Sequence, residues 1–244
     1  DKNLALLARL GRQSRNDDGV LGTFDGLYLN YQWKPSWAIN ATLGFPVEQT
    51  DASPKTDRHF TSISIAYTPP GRHWDASAFA LDQRYQGFID RRAVGFEARY
   101  LGSKQSLIGL VDYDVKYRSL NAASVLGTWQ LPDHWNVSFD FERRNAPILT
   151  TRNALIGQPE SSLNELLGIF TEAQIYESAR LHTPITSSYS LTANRPVGQR
   201  FQFSATVSAS KTGATFDFGS PTPILLEPES PLEPSVQLQM YGSN

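Results

Sequence analysis

A short polar turn carrying Pro or Gly, then an aromatic ring, then a strand of alternating apolar and polar residues returns about every 40 residues along this chain. The turns are Lys34-Pro35-Ser36-Trp37, Pro69-Pro70-Gly71-Arg72-His73-Trp74, Pro132-Asp133-His134-Trp135 and Pro196-Val197-Gly198-Gln199-Arg200-Phe201, while Gly102-Ser103-Lys104-Gln105 keeps the turn without the ring. Trp and Tyr pair an apolar body with a polar edge and are most stable where hydrocarbon meets headgroups. Repeated at one point of successive hairpins they form a girdle, here Trp33, Trp37, Trp74, Trp135 and Phe201. A soluble sandwich buries such rings and has no reason to repeat them at one height. The beat therefore predicts an all-β fold, an antiparallel up-and-down transmembrane β-barrel.

The strands between the turns separate by parity. Trp37, Ile39, Ala41, Leu43 and Phe45 share one face and Ala38, Asn40, Thr42 and Gly44 the other. Ile63, Ile65 and Tyr67 oppose Ser62, Ser64 and Ala66; Val94, Phe96, Ala98 and Tyr100 oppose Gly95, Glu97 and Arg99. Leu107, Gly109, Val111, Tyr113, Val115 and Tyr117 oppose a face with Asp112, Asp114, Lys116 and Arg118. Val137, Phe139 and Phe141 oppose Ser138, Asp140 and Glu142, and Phe201, Phe203, Ala205 and Val207 oppose Gln202, Ser204, Thr206 and Ser208. Such charges are intolerable in lipid and natural in a wet lumen. Less regular candidates at 3–13, 20–33, 74–86, 122–131, 185–195 and 235–241 bring the total to about twelve strands. Short turns after even-numbered strands lie at one end. The other end carries longer connections, among them 46–58, with Asp51, Ser53, Pro54, Lys55 and Asp57, and the Pro-rich run from Pro221 to Pro234.

Composition agrees with this reading by what it excludes. No apolar run is long enough for a helical membrane span, and a barrel needs none, because half of each strand faces the lumen. A mean hydropathy of −0.37 is thus no sign of solubility. Lys and Arg number 22 against 24 Asp and Glu, a balance that gives no reason to expect nucleic acid. The lack of cysteine rules out disulfides and Cys-based metal sites and suits an oxidising compartment. The chain starts at Asp1 without a signal peptide and does not close on the aromatic-ended strand usual for outer-membrane barrels; it reads as an interior piece of a longer precursor, part of a larger barrel.

Residues 146–184 interrupt the beat within what otherwise reads as a single barrel segment over 1–244. Ser162 followed by Glu165 is a capping-box pattern. Leu163, Leu166, Leu167, Phe170, Ala173 and Ile175 then recur at helical spacing and predict one amphipathic helix of about four to five turns over 161–181. Such an insert can rest on the loop bed, fold inward as a gate or plug, or dock a partner.

Few residues suggest chemistry. His59, His73, His134 and His182 are scattered without metal-ligand spacing, so neither a metal nor another cofactor is expected. No GxSxG elbow is present. Asp112 and Asp114 share a strand face and could serve acid/base work or cation binding, but with Glu97, Arg99, Lys116 and Arg118 close by they predict an internal salt-bridge lattice instead, and Asp140 and Glu142 are further lumen-facing charges. Asp17-Asp18-Gly19 next to Val20-Leu21-Gly22 signals a tight turn between strands. Arg12, Arg15 and Asp25 there form a charged rim cluster, structural or ligand-contacting.

The runs at 10–33 (LGRQSRNDDGVLGTFDGLYLNYQW), 90–100 (DRRAVGFEARY), 111–117 with 119–133, and 152–167 (RNALIGQPESSLNELL) resemble the C-terminal barrel region of a family of proteobacterial outer-membrane proteins. Members often carry tetratricopeptide or other helical repeats before the barrel. The resemblance implies an outer-membrane location, further strands on both sides, and kinship in architecture with porins that export exopolysaccharide; it brings no functional residues. The expected function is a non-enzymatic pore or secretion conduit in contact with outer-membrane lipid and, as partners, a periplasmic repeat domain or export machinery. The alternatives are a loop-plugged barrel that anchors an assembly, a barrel enzyme with a rim site, and a soluble carbohydrate-binding module using Trp33, Trp37, Trp74, Trp129 and Trp135.

Overall fold

A computed structural model describes residues 5–47, 56–198, 200–217 and 224–242. Twelve strands form one sheet in which each pairs antiparallel with its neighbours in sequence. They are β1 (Leu6–Asp17), β2 (Val20–Lys34), β3 (Trp37–Pro46), β4 (Arg58–Tyr67), β5 (Trp74–Tyr85) and β6 (Phe88–Leu101). Then come β7 (Gln105–Asp114), β8 (Ser119–Gln130), β9 (Asn136–Asn145), β10 (Ile185–Val197) and β11 (Phe201–Thr212). A small side hairpin, β12 (Thr215–Asp217) with β13 (Ile224–Glu227), precedes the last strand, β14 (Glu233–Gly242), which pairs with β11. Among the described residues β1 and β14 do not pair with each other, so the sheet is open there.

Neighbour pairing follows from the turns, because two to six residues between strands can only return the chain antiparallel beside itself. The connections after β2, β4, β6, β8 and β10 are short and gather at one end. At the other end the prediction holds in part. The β9–β10 and β11–β14 connections are long, whereas β1–β2, β5–β6 and β7–β8 are tight. Residues 48–55 of the expected 46–58 loop, and 221–223 of the Pro-rich run, lie outside the described residues; the run from Ile224 on contributes β13 and opens β14.

The sheet is inside-out relative to a water-soluble one. Leu43, Ile63, Val94, Phe96, Val111, Leu191 and Val207 are exposed, while Asn40, Thr42, Ser62, Ser64, Gln83, Asp112 and Asp114 are buried. Water favours the opposite distribution, and a contiguous apolar face of this extent marks a surface that lipid or partner protein covers. Rim charges bound the apolar band. On the outer face Arg92 holds Asp82 at 2.6 Å and Arg84 holds it at 3.1 Å, eight residue steps from Tyr100 on β6 and from Trp74 on β5. At ~3.3 Å per residue and a strand tilt of ~40° this is roughly 20 Å of height, near the ~25 Å apolar band of outer-membrane barrels.

Two sequence expectations are corrected. Lys116 and Arg118 do not sit on a lumen-facing strand, because β7 ends at Asp114, where the carboxylate accepts the Tyr117 amide at 2.8 Å and bends the chain, and Arg118 takes φ 50°. The alternation that continues through Tyr117 is carried by a turn. The single long helix is also two: α1 (Leu163–Leu166) and α2 (Glu172–Leu181). Thr171 and Gln174 form a reciprocal capping box that starts a second helix and stops the first from continuing. Leu163 and Leu166 are buried and Phe170 packs beside them, but Leu167 is exposed, since the break rotates it off the predicted stripe.

Candidate functional site

The predicted girdle residues fall at the short-turn end, and three of them are joined by a chain of ring contacts. Trp33 stacks on Trp37 at 6.0 Å, Trp37 meets Tyr67 at 4.5 Å, and Tyr67 meets Trp74 at 5.3 Å. Trp135 instead lies under the Arg195 guanidinium at 5.4 Å, and Phe201 is exposed at the start of β11. Tyr67 was missed as the link. Its signal was available, as the last apolar-phase residue before a Pro-Pro turn. Trp33 reaches the stack because a β-bulge between Gln32 and Lys34 shifts the register beside it. None of the five Trp is buried, so they do not form the core of a soluble module.

Two elements cover the inner face. The first is the tip of the β1–β2 hairpin, an Asp18-Gly19 turn with φ of 52° and 75°, the positive pair that a tight two-residue hairpin requires. It reaches across four strands. Asn40 Nδ2 on β3 donates to Asp18 Oδ2 (3.2 Å), Ser62 Oγ on β4 to the Asp18 carbonyl (2.8 Å), and Arg91 on β6 to the Gly19 carbonyl (2.9 Å). The Asp18 amide donates to Glu97 Oε1 (3.1 Å), and Val20 and Phe24 pack on Phe60 and Leu81.

The second cover is the 146–184 connection. Leu149, Ala154, Leu163, Leu166, Ile175 and Ala179 form a core with Tyr85 and Phe88 of the β5–β6 turn and Tyr117 of the β7–β8 turn. Two more β-bulges tie it down. Asp90 is the extra residue of β6, opposite the Gln83–Arg84 step, and its carboxylate accepts the Arg152 amide at 3.0 Å. Asn121 is the extra residue of β8, and its Oδ1 accepts Asn145 Nδ2 and the Leu149 amide, both at 3.0 Å. Both are fully buried. Sequence reasoning missed them; the available signal was a polar residue standing in the apolar phase of its strand.

Around the insert, Thr151 donates to the Ile89 carbonyl (2.6 Å), so its oxygen accepts from the Tyr117 hydroxyl (2.8 Å). Burial pushes the Tyr117 phenol well above the ordinary tyrosine range, and burial with the Glu172 carboxylate does the same for Tyr176. Lys116 Nζ stands 3.6 Å over the Tyr176 ring. The expected Ser162 cap is present, but the Glu165 carboxylate reaches Ser161: the Ser161 amide at 2.7 Å holds it below the usual carboxylate range.

A search of solved structures finds OprB of Pseudomonas putida, an outer-membrane porin, with a TM-score of 0.52 at 10% sequence identity. The chain has a porin β-barrel fold. The match covers 85% of this chain and 64% of that one, so the chain spans less than two thirds of the porin's length. A scan against protein-family models gives no match, and neither does a search of curated proteins.

The charges of the inner face do not form one lattice. Glu97 is drawn to the Asp18 amide, and Arg99 pairs with Asp75 at 2.9 Å. Asp112 pairs with Arg91, and Asp114 accepts the amides of Tyr117 and Arg92. The register explains the separation: Glu97 lies opposite Leu110 and Arg99 opposite Ile108, away from the two aspartates. Asp140 lies opposite Leu126 and Ser190, while Glu142 pairs with Arg144 at 3.4 Å. Arg12 holds Asp25 bidentately at 2.9 and 2.8 Å, and Arg15 turns to Asp17 and Asp18. Where hairpin, β4–β6 and insert meet, a cavity of about 180 Å³ remains, lined among others by Arg58, Gln83, Arg91, Phe60 and Thr150.

Proposed function

We propose that this chain forms the wall of a non-enzymatic pore in the bacterial outer membrane, as a porin or as the barrel of a secretion or export conduit. The observation that carries the reading is the reversal of burial: an apolar band about 20 Å high facing out, bounded by a row of aromatic rings and by rim charges, around a wall of Asn, Ser, Gln and Asp. Similarity to OprB supports it at the level of fold. Selectivity in this reading comes from fixed charges on the lumen side, with Glu97, Arg99 and Asp75 nearest the short-turn end. A periplasmic repeat domain or export machinery as partner belongs to the conduit form of the proposal.

A second reading, a structural barrel filled by its own loops, is favoured by the seated hairpin and the anchored insert. Planar-bilayer recording on the refolded chain separates the two. Discrete conductance steps support the pore, and silence at every voltage, from protein whose folded band on a gel shifts on boiling, refutes it.

A further inference from the structure

We propose that the β1–β2 tip is a strap seated across the lumen on Phe79, and that unseating it uncovers the inner wall of β3–β6. The effect on conductance rests on the pore reading; the seat itself does not.

The seat is cut for one ring. A Cβ at Gly19 would collide with the Phe79 ring from the strap side, and a Cβ at Gly95 would collide with the same ring from the wall side. Two glycines therefore leave a slot in which the phenyl lies between hairpin and sheet, and Phe79 is buried there. The strap's polar ties all come from this wall: Asn40, Ser62, Arg91 and Glu97.

The strap can leave without breaking the sheet. β2 pairs with β3 only from Phe24 onward, whereas the β1–β2 ladder continues to Asp17 and Val20, so the tip projects past β3 as a hairpin of its own. Gly22, within the projecting tip, sits in the left-handed region (φ 99°) with open space where a Cβ would stand, and Gly11 (φ 114°) does the same on β1 opposite Gly26, where β2 already pairs with β3. The strap is held by less than the insert: unseating it parts Val20 and Phe24 from Phe60 and Leu81 and breaks the four polar ties, whereas the insert must lose a core of nine buried residues together with the buried Asp90 and Asn121 ties. Of the two covers, the strap is the one that can open by itself.

The chain has no cysteine, so a single reporter can be read cleanly. Thr42→Cys places a thiol on the buried inner wall beside Ser62 without removing a strap tie, to be labelled with a water-soluble maleimide in the full chain refolded in detergent. Gly19→Val adds the collision with Phe79. Gly71→Val, at a turn glycine with φ 66° and open space, controls for backbone strain alone. Labelling of Thr42→Cys is expected to accelerate at least about tenfold with Gly19→Val and to stay unchanged with Gly71→Val. Equal rates in all three backgrounds overturn the strap. If Gly19→Val does not fold, Glu97→Ala, which removes only the acceptor of the Asp18 amide, takes its place with a smaller acceleration expected and the same overturning result. Bilayer recordings on the same variants keep the two ideas apart: faster labelling with no conductance in any variant upholds the strap and refutes the pore.

Discussion

Arginine scanned along the outer face of β6 gives the sharpest test of the inside-out assignment. Val94, Phe96, Ala98 and Tyr100 share that face, and Phe96 lies four residue steps from the Arg92 rim and four from the Tyr100 ring. At ~3.3 Å per residue and a tilt of ~40° it sits roughly 10 Å from either boundary, at the midplane of the apolar band. An arginine there costs ~2–4 kcal/mol, and one at the boundary ~0–1 kcal/mol. Since ~1.4 kcal/mol is a factor of ten, Phe96→Arg lowers the folding equilibrium constant in lipid vesicles by roughly 30- to 700-fold and Tyr100→Arg by less than about tenfold. Ser124→Arg on the lumen side, opposite Glu142, is tolerated. Urea titration in vesicles, read by heat-modifiable gel mobility, measures all three. A flat profile from Phe96 to Tyr100, or a larger loss for Ser124→Arg than for Phe96→Arg, refutes the face assignment and with it the membrane-spanning reading.

Two further predictions concern the insert. Asn121→Ala leaves the Leu149 amide and Asn145 Nδ2 buried without their acceptor, at about 1–3 kcal/mol each; limited proteolysis within 146–184 should accelerate while the folded band on the gel persists, and an unchanged cleavage rate would show that Asn121 does not hold the insert. The Tyr117 and Tyr176 phenols have folded pKa values above their unfolded ones, so their contribution is complete below about pH 10, the ordinary tyrosine value, and is lost as pH rises through the raised folded values. Alkaline titration followed by tyrosinate absorbance should show these two ionising late and together with loss of insert protection; Tyr117→Phe should remove one of the late phenols, and two phenols titrating near pH 10 in the intact chain would contradict their burial.

Much of this architecture was legible because strand parity and turn chemistry are local. Trp37 to Phe45 alternates completely, and no neighbouring strand was needed to know that Ile39 and Asn40 point to opposite faces. Ser162 likewise announced a helix start from its own side chain. The helix break was equally local, written in Thr171 and Gln174, and was overridden by the longer leucine spacing. Lys116 and Arg118 were misplaced because alternation does not show where a strand ends; the Asp114 to Tyr117 bond does.

The sequence by itself determined the twelve strands of the main sheet, their antiparallel order and, along each strand, which side chains share a face, since parity and turn chemistry are local; the β12–β13 hairpin and the end of β7 were not among them. Only the tertiary structure decided which charges meet, where the bulges turn Asp90 and Asn121 inward, and that Gly19 and Gly95, distant in the chain, clear space for one phenyl ring. Those contacts depend on the register between strands and on a hairpin folding back over β3 to β6, and no pattern within one segment records where another segment will come to lie.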